Sequence, residues 1–166
     1  MLSKYSRGEI AFTILTWCAF GILIGGILLF PNLAQVLTLF KPKNKYERMK
    51  IRRAVHSLAK QGLLERVLVS GNLKLTKRGS AVAEYENLQV KKQARWDKRW
   101  RLVMFDIPES QRPARIALSR KLVAMGMRHA QDSVFISPYQ CEKDVLQAAR
   151  FLRVEPLMHL ATLSHL

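Results

Sequence analysis

One carboxylate in this sequence stands where chemistry is possible, at the end of an apolar segment. Asp106 follows the run RLVMF, residues 101–105, which has the length and apolar character of a strand. Ile107, Pro108 and Glu109 come directly after it. Because an unpaired carboxylate is costly inside a core strand, we expect Asp106 to lie where the strand ends. There it either orders the turn or has a functional role.

The positive charge of the chain is the second chemical feature. The sequence has 28 Lys and Arg against 12 Asp and Glu, a net charge of +16. Residues 41–101 alone hold 18 basic and 5 acidic side chains, a net of +13. This density indicates a polyanionic partner, either nucleic acid or an anionic membrane surface. For nucleic acid, we expect a phosphate-binding face formed by Arg48, Arg52, Arg53, Lys74, Lys77 and Arg78.

The cysteines and histidines argue against a zinc site. Cys18 and Cys141 are far apart and have no partner at a metal-ligand or redox spacing. The four histidines form neither an HxxxH nor an HExxH arrangement. This cysteine usage is typical of a reducing compartment.

The elements that must position these residues begin with an apolar run at the N-terminus. Ile10–Phe30 contains 21 residues without a charge. At ~1.5 Å per residue a helix of this length spans ~31 Å, close to the ~30 Å of a bilayer core. We therefore predict a membrane anchor over residues 1–31. The basic residues that follow it predict a single-pass protein with a cytoplasmic C-terminal side.

The basic part of the chain predicts a small helical segment with a hairpin. Asn32 is placed to cap a helix in an amphipathic connector, residues 32–44. Residues 45–62 have the pattern of a basic helix. Short strands at 67–69 and 73–75 flank a turn signal, and Thr76 is placed to cap a last helix.

The stretches LAKQGLLE and LKLTKRG resemble a winged-helix module. We expect this module over residues 45–95 and in truncated form, because only residues 32–40 are available for an earlier helix.

Residues 96–166 alternate between strand-like and helical patterns. The run RLVMFDI is followed by a helix ending at Gly126, a strand over 127–131, the strand SVFISP, a helix over 141–154 and a last strand at 155–163. The order β-α-β-β-α-β predicts an α+β, ferredoxin-like domain with both helices on one face of an antiparallel sheet.

These residues also resemble a known family. WRLVMFDIPESQRPAR and KLVAMGMRHAQDSVFISP, within residues 96–163, look like the central domain of the PaaX transcriptional repressors. That domain is similar to the small endonuclease subunit of the CRISPR spacer-acquisition complex. The resemblance implies a bacterial or archaeal regulator that binds double-stranded DNA and forms a homodimer through its ferredoxin-like domain.

The resemblance leads to a specific hypothesis for the role of Asp106. In the nuclease family the aspartate that ends the first strand is a Mg²⁺ ligand shared by two protomers, and Asp106 occupies that position. Arg112 and Arg115, which belong to the same motif, are added to the nucleic-acid-binding set. The interpretation that we prefer is that Asp106 accepts backbone N–H groups of the turn, with Ser110 as another capping candidate.

Three functions follow from the sequence. The preferred one is a membrane-tethered nucleic-acid-binding protein of PaaX type, which requires no cofactor and is not an enzyme. The first alternative is a Mg²⁺-dependent endonuclease-like dimer with Asp106 as its catalytic and metal-binding residue. The second is a non-enzymatic structural protein that binds anionic lipid through its basic stretch.

Overall fold

The chain folds as two compact units, Met1–Asn87 and Leu88–Leu166. Both contain helices and strands, so the predicted α+β class is confirmed at this level. The computed structural model describes residues 7–24, 27–29, 31–67, 71–90 and 96–164.

Within its described residues, the first unit consists of four helices and two strand pairs. The helices are α1 (Arg7–Phe20), α2 (Leu33–Phe40), α3 (Lys45–Lys60) and α4 (Lys77–Asn87). The strands are β1 (Ile22–Ile24), β2 (Ile27–Leu29), β3 (Leu64–Arg66) and β4 (Leu73–Leu75). Strand β1 pairs antiparallel with β2, and β3 pairs antiparallel with β4.

The transmembrane helix predicted over residues 10–30 is wrong. Helix α1 has 14 residues and ends at Phe20, where Gly21 takes up a left-handed backbone with φ of +71°. Fourteen residues span about 21 Å, which is short of the roughly 30 Å of a bilayer core. The next residues form the β1–β2 pair, and residues 25, 26 and 30 lie outside the described part.

The localisation inferred from that span is therefore wrong as well. Among the described residues, no helix is long and apolar enough to cross a bilayer. The physical reason lies in Gly21, which directly follows α1. Glycine adopts a left-handed backbone at no steric cost and destabilises a helix interior, so hydropathy alone overestimated the length of α1.

Helix α1 is instead a core helix of the first unit. Ile10, Ile14 and Cys18, spaced four residues apart, are buried. The helix packs on α3 and α4, whose Ile51 and Ala83 are fully buried in the same cluster. The apolar N-terminal segment therefore supplies the hydrophobic core against which the basic helix α3 is held.

Side-chain caps fix where the second and third helices begin. The predicted cap of α2 is confirmed: Asn32 accepts a hydrogen bond from the Gln35 N–H, and the Gln35 side chain accepts one from the Asn32 N–H, both at 2.9 Å. The N–H of Glu47 donates to the Asn44 side chain at the start of α3, also at 2.9 Å. These bonds satisfy N–H groups that have no partner within their helices.

The hairpin after α3 lies earlier than predicted. The first strand is Leu64–Arg66 rather than 67–69, of which residues 68 and 69 lie outside the described part. The second strand, Leu73–Leu75, is where we expected it. A further antiparallel bridge joins Asn72 to Asn32, next to a 2.9 Å hydrogen bond from the Leu73 N–H to the Pro31 carbonyl.

The second unit has the element order β-α-β-β-α-β. Its strands pair in the order β6-β7-β5-β8, and every pairing is antiparallel. Single 3₁₀ turns precede α5 and β8, and the elements are β5 (Trp100–Phe105), α5 (Arg112–Ala124), β6 (Arg128–Gln131), β7 (Val134–Ser137), α6 (Glu142–Phe151) and β8 (Met158–Leu163).

The buried face of this sheet contains one charged side chain. Along the central strand β5, Arg101, Val103 and Phe105 are buried, as their alternate spacing requires. The Arg101 guanidinium donates to Asp97 and to Glu142. Its hydrogen bond holds the pKa of the Asp97 carboxyl well below its usual range. Arg101 thus links the segment before β5 to helix α6.

Both cysteines belong to the cores of their units. Cys18 and Cys141 are buried, and burial raises the pKa of each thiol to about 11. Because the thiolate is the nucleophile and the metal ligand, these protonated thiols are suited to packing rather than to chemistry.

Candidate nucleic-acid interface

The exposed surface of α3 is strongly cationic. Its buried stripe consists of Glu47, Ile51, Ala54 and Leu58, at helical spacing. The opposite side carries five exposed cations: Lys45, Arg48, Arg52, Arg53 and Lys60. The structure thus places the predicted Arg48, Arg52 and Arg53 together on one solvent-facing helix surface.

The single acidic residue of α3 does not offset this charge at the surface. Glu47 is only 9% exposed. Its carboxylate accepts a 2.7 Å hydrogen bond from the Lys43 N–H just before the helix. A carboxylate at a helix N-terminus is stabilised by the helix dipole and the free N–H groups. The acid therefore has a structural role, and the outer face of α3 has no exposed carboxylate of its own.

The hairpin and α4 contribute three more of the predicted residues. Lys74 on β4 is exposed, and its ammonium lies 4.0 Å from the exposed Glu65, a pairing that solvent weakens strongly. Lys77 and Arg78 are exposed in the first turn of α4. Arg78 also donates to the Gln61 carbonyl at 3.3 Å, so it supports the end of α3.

The motif LTKRG explains why α4 begins where it does. Gly79 donates its N–H to the Thr76 hydroxyl at 3.0 Å, which confirms the predicted cap. The same hydroxyl donates to the Gly62 carbonyl at 2.6 Å. A Cβ at position 79 would lie 2.0 Å from the Leu63 carbonyl oxygen, so only glycine allows this close approach. The turn after α3 and the start of α4 are thereby fixed to each other.

Arg112 and Arg115 lie in the second unit and are engaged with an acid. Both guanidinium groups pair with Glu109, Arg112 at 3.5 Å and Arg115 at 2.5 Å. Arg115 also donates to the Ile107 carbonyl at 3.4 Å. These contacts hold the turn after β5 against the first turns of α5. A phosphate would have to compete with Glu109 for either arginine.

Asp106 is exposed at the end of the central strand β5. Its N–H donates to the Leu157 carbonyl at 3.0 Å, which ties the turn to the start of β8. No donor among the described residues reaches its carboxylate. Neither the 3₁₀ turn nor α5 has a side-chain cap, so Ser110 does not cap this turn either. The described contacts therefore do not include the turn cap expected of Asp106.

The described residues contain no group of three or more His, Cys, Asp or Glu side chains that could hold a metal ion. Asp106 could bind Mg²⁺ only together with ligands from elsewhere. Mg²⁺ accepts one or two carboxylates with water or phosphate oxygens as its other ligands. An exposed carboxylate without a donor is compatible with that role.

Sequence reasoning missed a group of α3 residues beside the predicted face. Tyr46 and Met49 are exposed apolar side chains on this polar surface, with Lys45 and Lys50 next to them. The signal was present in the sequence, since both apolar residues fall outside the buried stripe of α3.

The comparison with known families identifies the second unit. Residues 93–166 match the model of the PaaX protein central Cas2-like domain. This range includes the strand that ends at Asp106 and the motif that carries Arg112 and Arg115. No curated protein matches the chain. The resemblance predicted from FDIPE and QDSVFISP is therefore confirmed for residues 93–166, which match the PaaX central Cas2-like domain.

Proposed function

We propose that this chain is a nucleic-acid-binding regulator of PaaX type whose first unit binds double-stranded DNA through α3. The observation that carries the proposal is the exposed face of α3, which presents five cations while its one acid is buried. Cations on a helix surface neutralise phosphates and release counterions, which supplies much of the affinity for DNA.

The topology of the first unit supports a winged-helix module. Three helices precede a β-hairpin, and an isolated antiparallel bridge joins Asn32 to Asn72 beside it. Helix α1 supplies the earlier helix that the sequence reading lacked. In such modules the helix before the hairpin enters the major groove. That position corresponds to α3, and Lys74 and Lys77 then contact the flanking phosphates.

The second unit supports a role in assembly. Its element order and its antiparallel strand order are those required for a ferredoxin-like domain. We propose that two copies pair through this domain, as the family resemblance implies. Pairing places two copies of the first unit on one DNA molecule, so that symmetric half-sites are recognised.

A charge reversal on α3 tests the DNA-binding proposal. Arg52→Glu should weaken binding to a mixed-sequence duplex by about tenfold or more and lower the salt slope by about one unit. The matched control is Lys143→Glu, which makes the same charge change at an exposed position on α6 of the second unit. Fluorescence anisotropy at several salt concentrations measures both. Equal effects of the two variants would contradict a specific role for α3.

A Mg²⁺-dependent nuclease is a second candidate. The observation that favours it is the exposed Asp106 carboxylate, which no described donor reaches. Two such carboxylates in a dimer would repel each other unless a cation lay between them. Cleavage of DNA or RNA that requires Mg²⁺ and is lost in Asp106→Asn would support this candidate. Absence of cleavage by the unchanged chain would rule it out.

A further inference from the structure

A groove between α1 and α3 lies beside the cationic face of α3. Its volume is about 610 Å³, within the range expected for ligand-binding pockets, about 300–1,000 Å³. Ala11 of α1 and Ala54 and Leu58 of α3 form its apolar floor, and Lys45 and Arg53 stand at its edge.

The charge of this groove is unbalanced. Its lining includes the cations Lys45 and Arg53, and none of the lining residues is acidic. Lys45 and Arg53 make no ion pair within the described part of the chain. The acid of this helix, Glu47, is turned inward and bonded to the Lys43 N–H. The groove therefore fits an anionic ligand with an apolar part.

An exposed aromatic ring defines the chemistry further. Tyr46 is 72% exposed, although it lies in the first turn of a packed helix, and Met49 is 42% exposed beside it. Both line the groove. Aromatic rings among cations provide the two contacts that a single-stranded nucleic acid needs, which are stacking for its bases and charge for its phosphates.

We propose that this groove binds unpaired nucleotides, with a base stacked on Tyr46 and the adjoining phosphates paired with Lys45 and Arg53. The inference rests on the proposed function and adds single-stranded or locally opened DNA to its ligands. Arg48 and Arg52 flank the other side of α3, so duplex and single strand use different edges of one helix. Lys45 and Arg53 belong to both surfaces.

Binding of a labelled oligodeoxythymidylate to the full chain tests the groove. Loss of one stacked base by alanine substitution corresponds to about 5- to 150-fold in affinity. Tyr46→Ala should therefore weaken single-strand binding by that factor, while Tyr46→Phe retains it and duplex binding stays within about twofold. The matched control is Phe20→Ala, because Phe20 is also an exposed aromatic residue of the first unit, at 59%, but does not line this groove.

Each other outcome overturns the inference. Unchanged single-strand binding in Tyr46→Ala, or an equal loss in Phe20→Ala, would exclude stacking in the groove. Binding of polyglutamate with the same dependence on Tyr46 would identify the ligand as an acidic peptide instead. The two proposals can fail separately. Tyr46→Ala tests single-strand binding in the groove, whereas Arg52→Glu tests duplex binding by α3.

Discussion

At the scale of single residues, the Asp106 carboxylate has two interpretations, as a turn cap and as a Mg²⁺ ligand, and substitution distinguishes them. Asp106→Asn should change the free energy of unfolding by less than about 0.5 kcal/mol, since the side chain is exposed and no described donor reaches it. Urea unfolding of the two proteins measures the difference. Asp106→Ala is the variant that tests the turn cap, because asparagine still accepts a backbone hydrogen bond and alanine does not. A loss of about 1 kcal/mol in Asp106→Ala would restore the turn-capping interpretation.

At the scale of elements, the joint between α3 and α4 depends on one glycine. Gly79→Ala should destabilise the first unit by about 3 kcal/mol or more. The new Cβ would clash with the Leu63 carbonyl oxygen, which belongs to the backbone and cannot move away as a flexible side chain could. Thermal unfolding followed by intrinsic tryptophan fluorescence measures the loss.

Gly62→Ala is the matched control for this joint. Gly62 has a φ of +68°, and a Cβ there would meet nothing within 4 Å. Its replacement should cost only the backbone strain, about 1–2 kcal/mol. Equal losses in the two variants would show that the close approach at Gly79 is not what stabilises the joint.

The elements also show what a sequence can predict. Helix α3, helix α4 and the second unit follow regular patterns, and their predicted positions agree with the structure to within a few residues. The prediction that α1 spans a membrane was wrong, because an apolar run of residues suits a protein core as well as a bilayer. The inward turn of Glu47 could not be predicted either, since it depends on a hydrogen bond to the Lys43 backbone.

At the scale of the whole molecule, ion pairs determine how the second unit responds to acid. Hydrogen bonds from Arg101 and Arg150 lower the pKa values of Asp97 and Glu155 respectively. Carboxyls with lowered pKa values stabilise the fold above their unfolded values of about 3.9 and 4.3. Stability should therefore be unaffected by these groups from neutral pH to about 5, and should fall progressively below about 4.

Urea unfolding at neutral and acidic pH, followed by Trp96 and Trp100 fluorescence, measures this dependence. Asp97→Asn should make the acid loss shallower, because that carboxyl no longer gains a proton on unfolding. An unchanged pH profile in this variant would show that Asp97 does not contribute to acid sensitivity.

The buried position of α1 has a consequence for synthesis. Ile10, Ile14 and Cys18 are synthesised before the helices that cover them, α3 and α4, which are complete only at Asn87. At roughly 5–20 residues per second, the ribosome needs about 3–14 s to reach that point from the end of α1. During this interval the apolar segment of the nascent chain lacks the two helices that cover it, so we expect this unit to depend on chaperones more than its small size suggests.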